Sequence, residues 1–394
     1  MEKKKIGVVF GGCSPEHNVS LESAYSVITN INREKYDIVL IGITEDGNWY
    51  KFNGNAEEIK NNTWENGDCE KAILSCNRED KGIICFKNGN CEKIKLDAIF
   101  PVLHGENGED GSIQGLIKLA GIPLIGCGIL ASSVGMDKYV SKAVLKDNGI
   151  PVLDCVCFTT SEYAEMDTLL DTVEKEIGYP AIVKPLNLGS SVGISVAKNR
   201  VELTKSIDDA FSYASKVIVE HAITKLREIN CSVLGDENDA IASECEEPLH
   251  TKDILSYEDK YLSNNSKNGG SKGMASVSRK IPAELTPEKR EEVREIAVKS
   301  FQKLGCNGVA RIDFMIDEEN GNLYFNEINT IPGSLAFYLW EPVGVPYKEL
   351  LDRMIQLALK RVREEQNLTF TFDTNILNQS SLSGVKGSKG GKLS

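Results

Sequence analysis

The stretch from residue 311 to residue 333, RIDFMIDEENGNLYFNEINTIPG, constrains the fold more than any other part of the sequence. Side chains alternate between the two faces of a strand, which places Arg311 and Asp313 on one face of a first strand. In the same way, Glu327 and Asn329 share a face of a second strand. The Asn-Gly pair between the two runs is a strong hairpin signal. The sequence therefore predicts a β-hairpin with acids on one face of both strands.

The length of the turn decides whether these acids meet. Opposed residues in a hairpin have position numbers with a constant sum, so a two-residue Asn-Gly loop would set Asp313 against Ile328. An odd-length loop or a bulge would set Asp313 against Glu327 instead, and we predict the odd loop. Asp313, Glu327 and Asn329 would then converge and suit a hard cation such as Mg²⁺, bound together with substrate phosphates. The alternative is a solvated polar face, because exposed acids are common on edge strands.

Composition argues against several classes of protein. The chain of 394 residues carries a formal net charge of -13, which argues against nucleic acid or an anionic membrane surface as the main partner. Its 11 cysteines form no CxxC pair, so zinc is not expected, and they are typical of reduced cytoplasmic thiols. The apolar run 6–10 is too short for a signal peptide. The uncharged stretch 119–136 holds Gly and Pro, which predicts a buried strand and turns rather than a membrane span.

The length predicts two or three domains, since single cores stop growing near about 250 to 300 residues. A strand at 5–10, a glycine turn and a helix open a doubly wound α/β pattern, whereas the polar stretch 52–93 is predicted to contain surface elaboration. The predicted parts are a Rossmann-like α/β domain at 1–133, an α+β unit at 134–222, a second unit with the hairpin at 223–365, and a disordered tail at 366–394.

A glycine-serine motif, VKPLNLGSSVG at residues 183–193, lies between two predicted strands. Its small residues would leave backbone N–H groups open to phosphate oxygens, and Lys184 precedes them on the strand. The spacing is not that of a Walker loop. Taken alone, a structural hairpin explains the motif better than a phosphate site does.

The order of the motifs adds to what each one indicates alone. MDK at 136–138, VKP at 183–185, VEH at 219–221, ARIDF at 310–314 and NEIN at 326–329 follow an order that resembles the ATP-grasp superfamily. GGCSPEHNVSLESA, LHGENGEDGSIQG, GSSVG, NTIPG and a Lys-Tyr pair look like motifs of the D-alanine–D-alanine ligase family. The resemblance runs from about residue 5 to residue 360. It implies an ATP-grasp fold, of α/β and α+β class, preceded by a Rossmann-like N-terminal domain.

The resemblance also implies which residues bind ATP and metal. The residues that would hold two Mg²⁺ ions, with Mn²⁺ as an alternative, are Asp313, Glu327 and Asn329. Those that would contact the ATP phosphates are Lys138, Lys184 and Ser191. Those that would line the adenine hinge are Glu220, His221, Ala222 and Ile223, and Glu228 would bind the ribose hydroxyls.

The implied reaction forms a peptide bond. The carboxylate of one D-alanine would attack the γ-phosphate of ATP to give an acylphosphate and ADP, and the amine of a second D-alanine would displace the phosphate. Arg311 and the Gly333 N–H would stabilise the tetrahedral oxyanion, although Arg311 has a structural alternative as the partner of Glu327. A loop with Lys260 and Tyr261 would close over the site and exclude water, and Ser190 would hydrogen-bond across it.

Substrate recognition departs from the family pattern. Where most relatives have Glu in the first helix, this chain has Asn18, so Glu16 or Asn18 would meet the first D-alanine beside His104. Tyr338 and Leu339 stand where many members have a Ser-Leu pair for the second substrate. His221 replaces a commoner Lys, which the backbone contacts of the hinge would tolerate.

Three activities remain open at this stage. The first is a cytoplasmic ligase of peptidoglycan synthesis, expected by resemblance to be a homodimer. The alternatives are a D-alanine–D-serine ligase of the same fold, and a nucleotide-binding homologue that has lost catalysis. Retention of Arg311, Lys138 and the three metal-binding residues argues against the last of these.

Overall fold

Three β-sheets organise the computed structural model, which describes residues 3–87, 89–186, 193–249 and 279–368. The chain divides into two units, residues 1–359 and residues 360–394. The strands of all three sheets that the described residues contain lie in the first unit. In the second unit, the described residues include the end of the last helix, where Lys360 Nζ lies 3.8 Å from a Glu364 carboxylate oxygen.

The first sheet has a parallel centre and an antiparallel extension. Its order is β6-β5-β4-β3-β2-β1-β7, with β1 parallel to both β2 and β7. The strands are β1 (Lys4–Gly11), β2 (Tyr36–Ile43), β3 (Trp49–Phe52), β4 (Cys69–Leu74), β5 (Gly82–Lys87), β6 (Asn90–Lys95) and β7 (Ala98–Pro101). Antiparallel pairing joins β2 through β6. Much of the polar stretch 52–93 is thus sheet, which was not predicted because β6 is mostly exposed.

The second and third sheets are antiparallel and carry several of the predicted ATP-binding residues, among them Lys184, Glu220 and Glu228. The second has the order β10-β9-β11-β8, with β8 (Cys155–Thr159), β9 (Ala181–Pro185), β10 (Ser195–Ala197) and β11 (Lys216–His221). The third has the order β14-β13-β12-β15-β16, with β12 (Leu226–Gly235), β13 (Ala240–Pro248), β14 (Arg279–Lys280), β15 (Gly308–Asp317) and β16 (Asn322–Asn329).

Helices lie against the sheets. They are α1 (His17–Asn30), α2 (Ala56–Lys60), α3 (Ser112–Ala120), α4 (Ile129–Met136), α5 (Lys138–Asp147), α6 (Met166–Glu176), α7 (Arg200–Phe211), α8 (Pro287–Lys303) and α9 (Tyr347–Gln366). Helix α8 is capped at its start, where the Thr286 hydroxyl accepts from Lys289 N, and Gly305 just beyond its end has φ +68°. Two details of the sequence prediction are wrong. Residues 129–136 form α4 rather than strand and turns, and Gln366 is helical rather than part of a disordered tail.

The hairpin corrects one prediction and confirms another. Asp317 pairs with Asn322, so the connecting loop has the four residues 318–321, and the prediction of an odd loop is wrong. The register shifts between Asp313 and Phe314, which leaves Asn326 as the extra residue of a bulge. Asp313 therefore does lie opposite Glu327. Among the helices that the structure describes, none is long and apolar enough to cross a membrane.

Aromatic side chains fill the core beneath the first sheet. Trp64 is fully buried, and its ring lies edge-on to Phe10 at a centroid distance of 5.0 Å. Gly42 on β2 faces this indole so closely that a Cβ there would lie 2.3 Å from the Trp64 ring. The core at this point has no space for one more carbon.

We expect the Gly42→Ala variant to lower the free energy of unfolding by about 1–3 kcal/mol, because overpacking forces neighbours off their rotamers. The control is Gly115→Ala in α3, where an added Cβ meets no atom within 4 Å outside its own helix. That change should be neutral or stabilise by up to about 1 kcal/mol. Urea denaturation followed by circular dichroism measures both, and an unchanged G42A midpoint would contradict the packing.

Candidate active site

A row of polar side chains crosses the third sheet on one face. Glu327 of β16 lies opposite Asp313 of β15, Asp313 lies opposite Asn230 of β12, and Asn230 lies opposite Glu246 of β13. Directly paired residues project to the same side of a sheet, so the four side chains share a face. Pairing across strands thus gathers polar groups that are far apart in the sequence.

The carboxylates of this row already have cationic and amide partners. Arg311 donates two hydrogen bonds to Asp313, from Nε to Oδ1 and from Nη2 to Oδ2, each 2.7 Å long. Asn329 Nδ2 donates to Asp313 Oδ2 at 3.0 Å. Glu327 lies 3.3 Å from Lys138 Nζ at the start of α5. Arg311 therefore pairs with Asp313, and not with Glu327 as its structural alternative proposed.

The donor set fits a hard cation. Two carboxylates and one amide oxygen, from Asp313, Glu327 and Asn329, are the ligand types that Mg²⁺ takes from proteins when substrate phosphates supply the rest. A carboxylate oxygen that accepts one hydrogen bond retains a second lone pair for a metal. Within the described residues, no group of three or more His, Cys, Asp and Glu side chains forms a metal cluster. A site of two acids and one amide falls outside that pattern.

A buried ion cluster lies beside the row. Glu220 of β11 is 1% exposed and accepts from Lys184 Nζ at 2.7 Å and from Lys142 Nζ of α5. Burial opposes ionisation of Glu220, but the two lysine charges outweigh it and hold the pKa of this carboxyl below its usual value. Burial likewise opposes the charge of Lys184, yet Glu220, Glu327 and Glu228 together raise the pKa of Lys184.

The predicted hinge residues lie at the end of the same strand. Glu220 directs its side chain into the ion cluster, so it would line a nucleotide site through its backbone alone. His221 is exposed, Ala222 is buried and its N–H donates to Pro180 O at 2.8 Å, and Ile223 is partly buried. Glu228 lies on β12 opposite Met315, two positions before Asn230 on the same face.

The residues predicted to bind the first substrate come from the N-terminal part of the chain. His104 is buried, and Nε2 lies 2.8 Å from Ser23 Oγ. Burial lowers the pKa of His104, against the opposing charge of Glu16. The charge of Glu16 also acts on Glu109. Burial and this neighbouring charge raise the pKa of Glu109 to about 8. Asn18 is exposed and accepts from Asn62, so Glu16 and not Asn18 lies beside His104.

The residues predicted to bind the second substrate lie at the other end of the row. The Tyr338 hydroxyl is 3.2 Å from Glu246 Oε1, and the Arg279 guanidinium lies 4.1 Å from the Tyr338 ring centroid. Arg279 Nη1 also donates to Glu246 Oε2 at 3.1 Å. Burial and the Glu246 charge raise the pKa of Tyr338 to about 12. Leu339 is completely buried, so its side chain belongs to the core.

Three residues of this arrangement were not predicted from the sequence, and four predicted residues lie outside the part of the chain that the structure describes. Lys142 was missed, although it follows Lys138 by one helical turn in α5. Asn326 was missed because only the bulge brings its amide oxygen to Lys184 Nζ, at 3.3 Å. No pattern singled out Glu246. Four predicted site residues lie outside the described part of the chain: Ser190, Ser191, Lys260 and Tyr261.

We expect Glu220→Gln to destabilise the protein by about 3–5 kcal/mol, because it leaves two buried ammonium groups without a carboxylate. The control is Glu176→Gln, which removes an exposed pair with Lys175 and should change stability by less than about 0.5 kcal/mol. Thermal unfolding at pH 7 compares the variants. If both unfold with the wild type, the cluster does not stabilise the fold.

Comparison with known proteins identifies the family. Family models described as the D-ala D-ala ligase N-terminus and C-terminus match residues 5–127 and 144–356. A D-alanine–D-alanine ligase of Acetivibrio thermocellus is 43% identical over 380 residues, which cover 92% of this chain and 98% of that protein.

Solved structures agree with that identification. The VanG D-Ala:D-Ser ligase from Enterococcus faecalis superposes with a TM-score of 0.79 at 36% identity, covering 91% of this chain and 100% of that chain. The D-alanine–D-alanine ligase from Coxiella burnetii has a TM-score of 0.76 at 28% identity, covering 97% and 99%. The predicted ATP-grasp fold class is confirmed. The chain belongs to the D-alanine–D-alanine ligase family.

Proposed function

We propose that this protein joins two molecules of D-alanine into D-alanyl-D-alanine and converts ATP to ADP and phosphate. The observation that carries the proposal is the placement of Lys138 and Arg311 against the opposed acids Glu327 and Asp313 on one sheet face. A triphosphate bound there would meet a divalent ion and ammonium groups together. The full-length match to relatives that carry the name D-alanine–D-alanine ligase supports the same activity.

ATP and Mg²⁺ are the expected cosubstrate and ion of this ligase. Asp313, Glu327 and Asn329 would hold the metal, with two ions as the proposed number and Mn²⁺ as an alternative. When bound, the ion would neutralise phosphate charge during phosphoryl transfer. Lys138 and Lys184 would bind phosphate oxygens, and Glu220 keeps the Lys184 ammonium charged and in place.

The first step makes the donor carboxylate reactive. A carboxylate oxygen of the first D-alanine attacks the γ-phosphorus, the bond to the β,γ-bridging oxygen breaks, and ADP leaves. Glu16 lies beside His104, where its charge would meet the ammonium of this donor. Charge-assisted contacts of that kind contribute roughly 1.5–3 kcal/mol. We propose that Glu16, rather than Asn18, binds the ammonium of the first D-alanine.

The second step forms the peptide bond. The amine of the second D-alanine, after losing a proton, attacks the acyl carbon, and the tetrahedral intermediate then expels phosphate. Arg311 and the Gly333 N–H would stabilise the developing oxyanion. We assign the acceptor site to the neighbourhood of Tyr338, and Ser190, Ser191, Lys260 and Tyr261 keep the roles implied by resemblance.

The cellular setting follows from the reaction. The dipeptide would serve peptidoglycan precursor synthesis, and we propose that the enzyme works in the cytoplasm as a homodimer. The small-molecule partners are D-alanine and ATP. D-serine is the competing acceptor, because a D-Ala:D-Ser ligase is among the similar solved structures.

The decisive assay follows phosphate release from ATP with D-alanine and Mg²⁺ and identifies the dipeptide by mass spectrometry. We expect release only when both are present, and D-alanyl-D-alanine as the main product when equal D-alanine and D-serine compete. Predominance of D-alanyl-D-serine would assign the second activity instead. Release without an amino acid, or no release at all, would exclude a ligase.

The Glu327→Gln variant tests whether Asp313, Glu327 and Asn329 form a metal site. Loss of this charge should reduce turnover by at least ~100-fold, since Glu327 would hold an ion that neutralises the negative charge of phosphoryl transfer. Glu318→Gln is the matched control, because Glu318 is exposed on the turn of the same hairpin. Near-normal turnover of E327Q would support the solvated polar face.

A further inference from the structure

A left-handed turn follows Gly333 without any glycine inside it. Ser334, Leu335 and Ala336 have φ values of 47°, 57° and 50°. For residues with a Cβ this conformation costs roughly 1–2 kcal/mol each. Such strain persists only where surrounding contacts over-determine it. The turn must therefore be held by specific partners.

Ser23 of α1 is one such partner. Its hydroxyl oxygen accepts from Ser334 N at 2.9 Å and lies 2.8 Å from His104 Nε2. Ser23 is 2% exposed, so water does not replace these bonds. Which atom donates in the second bond depends on the His104 tautomer, because the Ser23 oxygen has a second lone pair as well as a proton. In either case Ser23 joins His104 to Ser334.

Glu109 holds the segment on the other side of Gly333. Oε1 accepts from Ile331 N at 2.9 Å, and Oε2 accepts from Gly105 N at 3.0 Å. The same carboxylate thus joins the residue after His104 to the residue two before Gly333. The segment 331–334 is held at both ends by side chains from the N-terminal part of the chain.

We propose that Ser23 is a positioning residue for the ligase reaction, which sets the left-handed turn and so aims the Gly333 N–H. The inference rests on the proposed function, in which that N–H stabilises the oxyanion. Ser23 touches no reacting atom in this proposal and acts through Ser334. Its second hydrogen bond connects this turn to His104, which we place beside the first D-alanine.

A purely structural role for Ser23 has a matched comparison in the same helix. Ser20 lies three residues earlier on the buried face of α1 and is 0% exposed. Its hydroxyl oxygen accepts from Gly11 N at 2.8 Å and its proton is donated to Val102 O. Ser20 and Ser23 therefore each make two buried hydrogen bonds, but only Ser23 contacts the turn after Gly333.

The experiment compares Ser23→Ala with Ser20→Ala in the full-length protein. We expect both to lower the melting temperature, because each leaves buried polar groups unpaired. Only S23A should lower kcat, by about 10- to 100-fold, because small misplacements of catalytic groups have effects of this size. The KM for ATP should stay within about twofold, since the lysines of the ion cluster are untouched. Ser23→Thr keeps the hydroxyl and should recover part of kcat.

Hydrogen exchange gives a second measurement that does not depend on activity. Amide exchange in a peptide covering residues 331–339 should rise by about tenfold in S23A and stay at the wild-type rate in S20A. Equal exchange and equal kcat in the two variants would overturn the inference. A wild type that forms no dipeptide would refute the proposed function, while unchanged exchange in S23A would refute the positioning role separately.

Discussion

The pairing register of β15 and β16 is the constraint on which the candidate site depends. With the four-residue turn alone, every pair would keep the odd sum of Asp317 and Asn322, and Asp313 would face Asn326. The extra residue Asn326 shifts the register so that Asp313 meets Glu327. A slip of one residue in a strand reverses the faces of its side chains. The bulge therefore separates an ordinary hairpin from one that presents two carboxylates together.

The same bulge adds a contact between the second and third sheets. Asn326 contacts Lys184 of the second sheet, and Lys184 is held by Glu220. Glu220 in turn pairs with Lys142, whose helix begins at Lys138, the partner of Glu327. These contacts link charged side chains of the second sheet, of α5 and of the hairpin. A buried charge is costly without a partner of opposite sign. Removal of one of these side chains would therefore destabilise the charges that it contacts.

Periodicity and order of motifs predicted most of the elements, because each carries its own local signal. The alternation in 311–329, the Thr286-Pro287 start of α8 and the glycine turn after β1 are all readable within a few residues. The opposition of Asp313 and Glu327 was predicted correctly, but from an odd-length loop. The structure has a four-residue loop and a bulge instead. A bulge has no local signature of its own here, since Asn326 is as compatible with regular strand as with an insertion.

What sequence could not supply is contact between distant segments. Glu16 and Asn18 are two positions apart, and only the direction of α1 shows that Glu16 faces His104 and Asn18 faces Asn62. Ser23 and Glu109 each lie more than two hundred residues before the segment 331–336, yet both hydrogen-bond to it. The strained turn costs free energy that its contacts with this N-terminal scaffold help to offset. If the Gly333 N–H is the oxyanion donor that we propose, its direction depends on hydrogen bonds between the N-terminal part of the chain and residues 331–334. The fold itself would then couple donor recognition to acyl transfer.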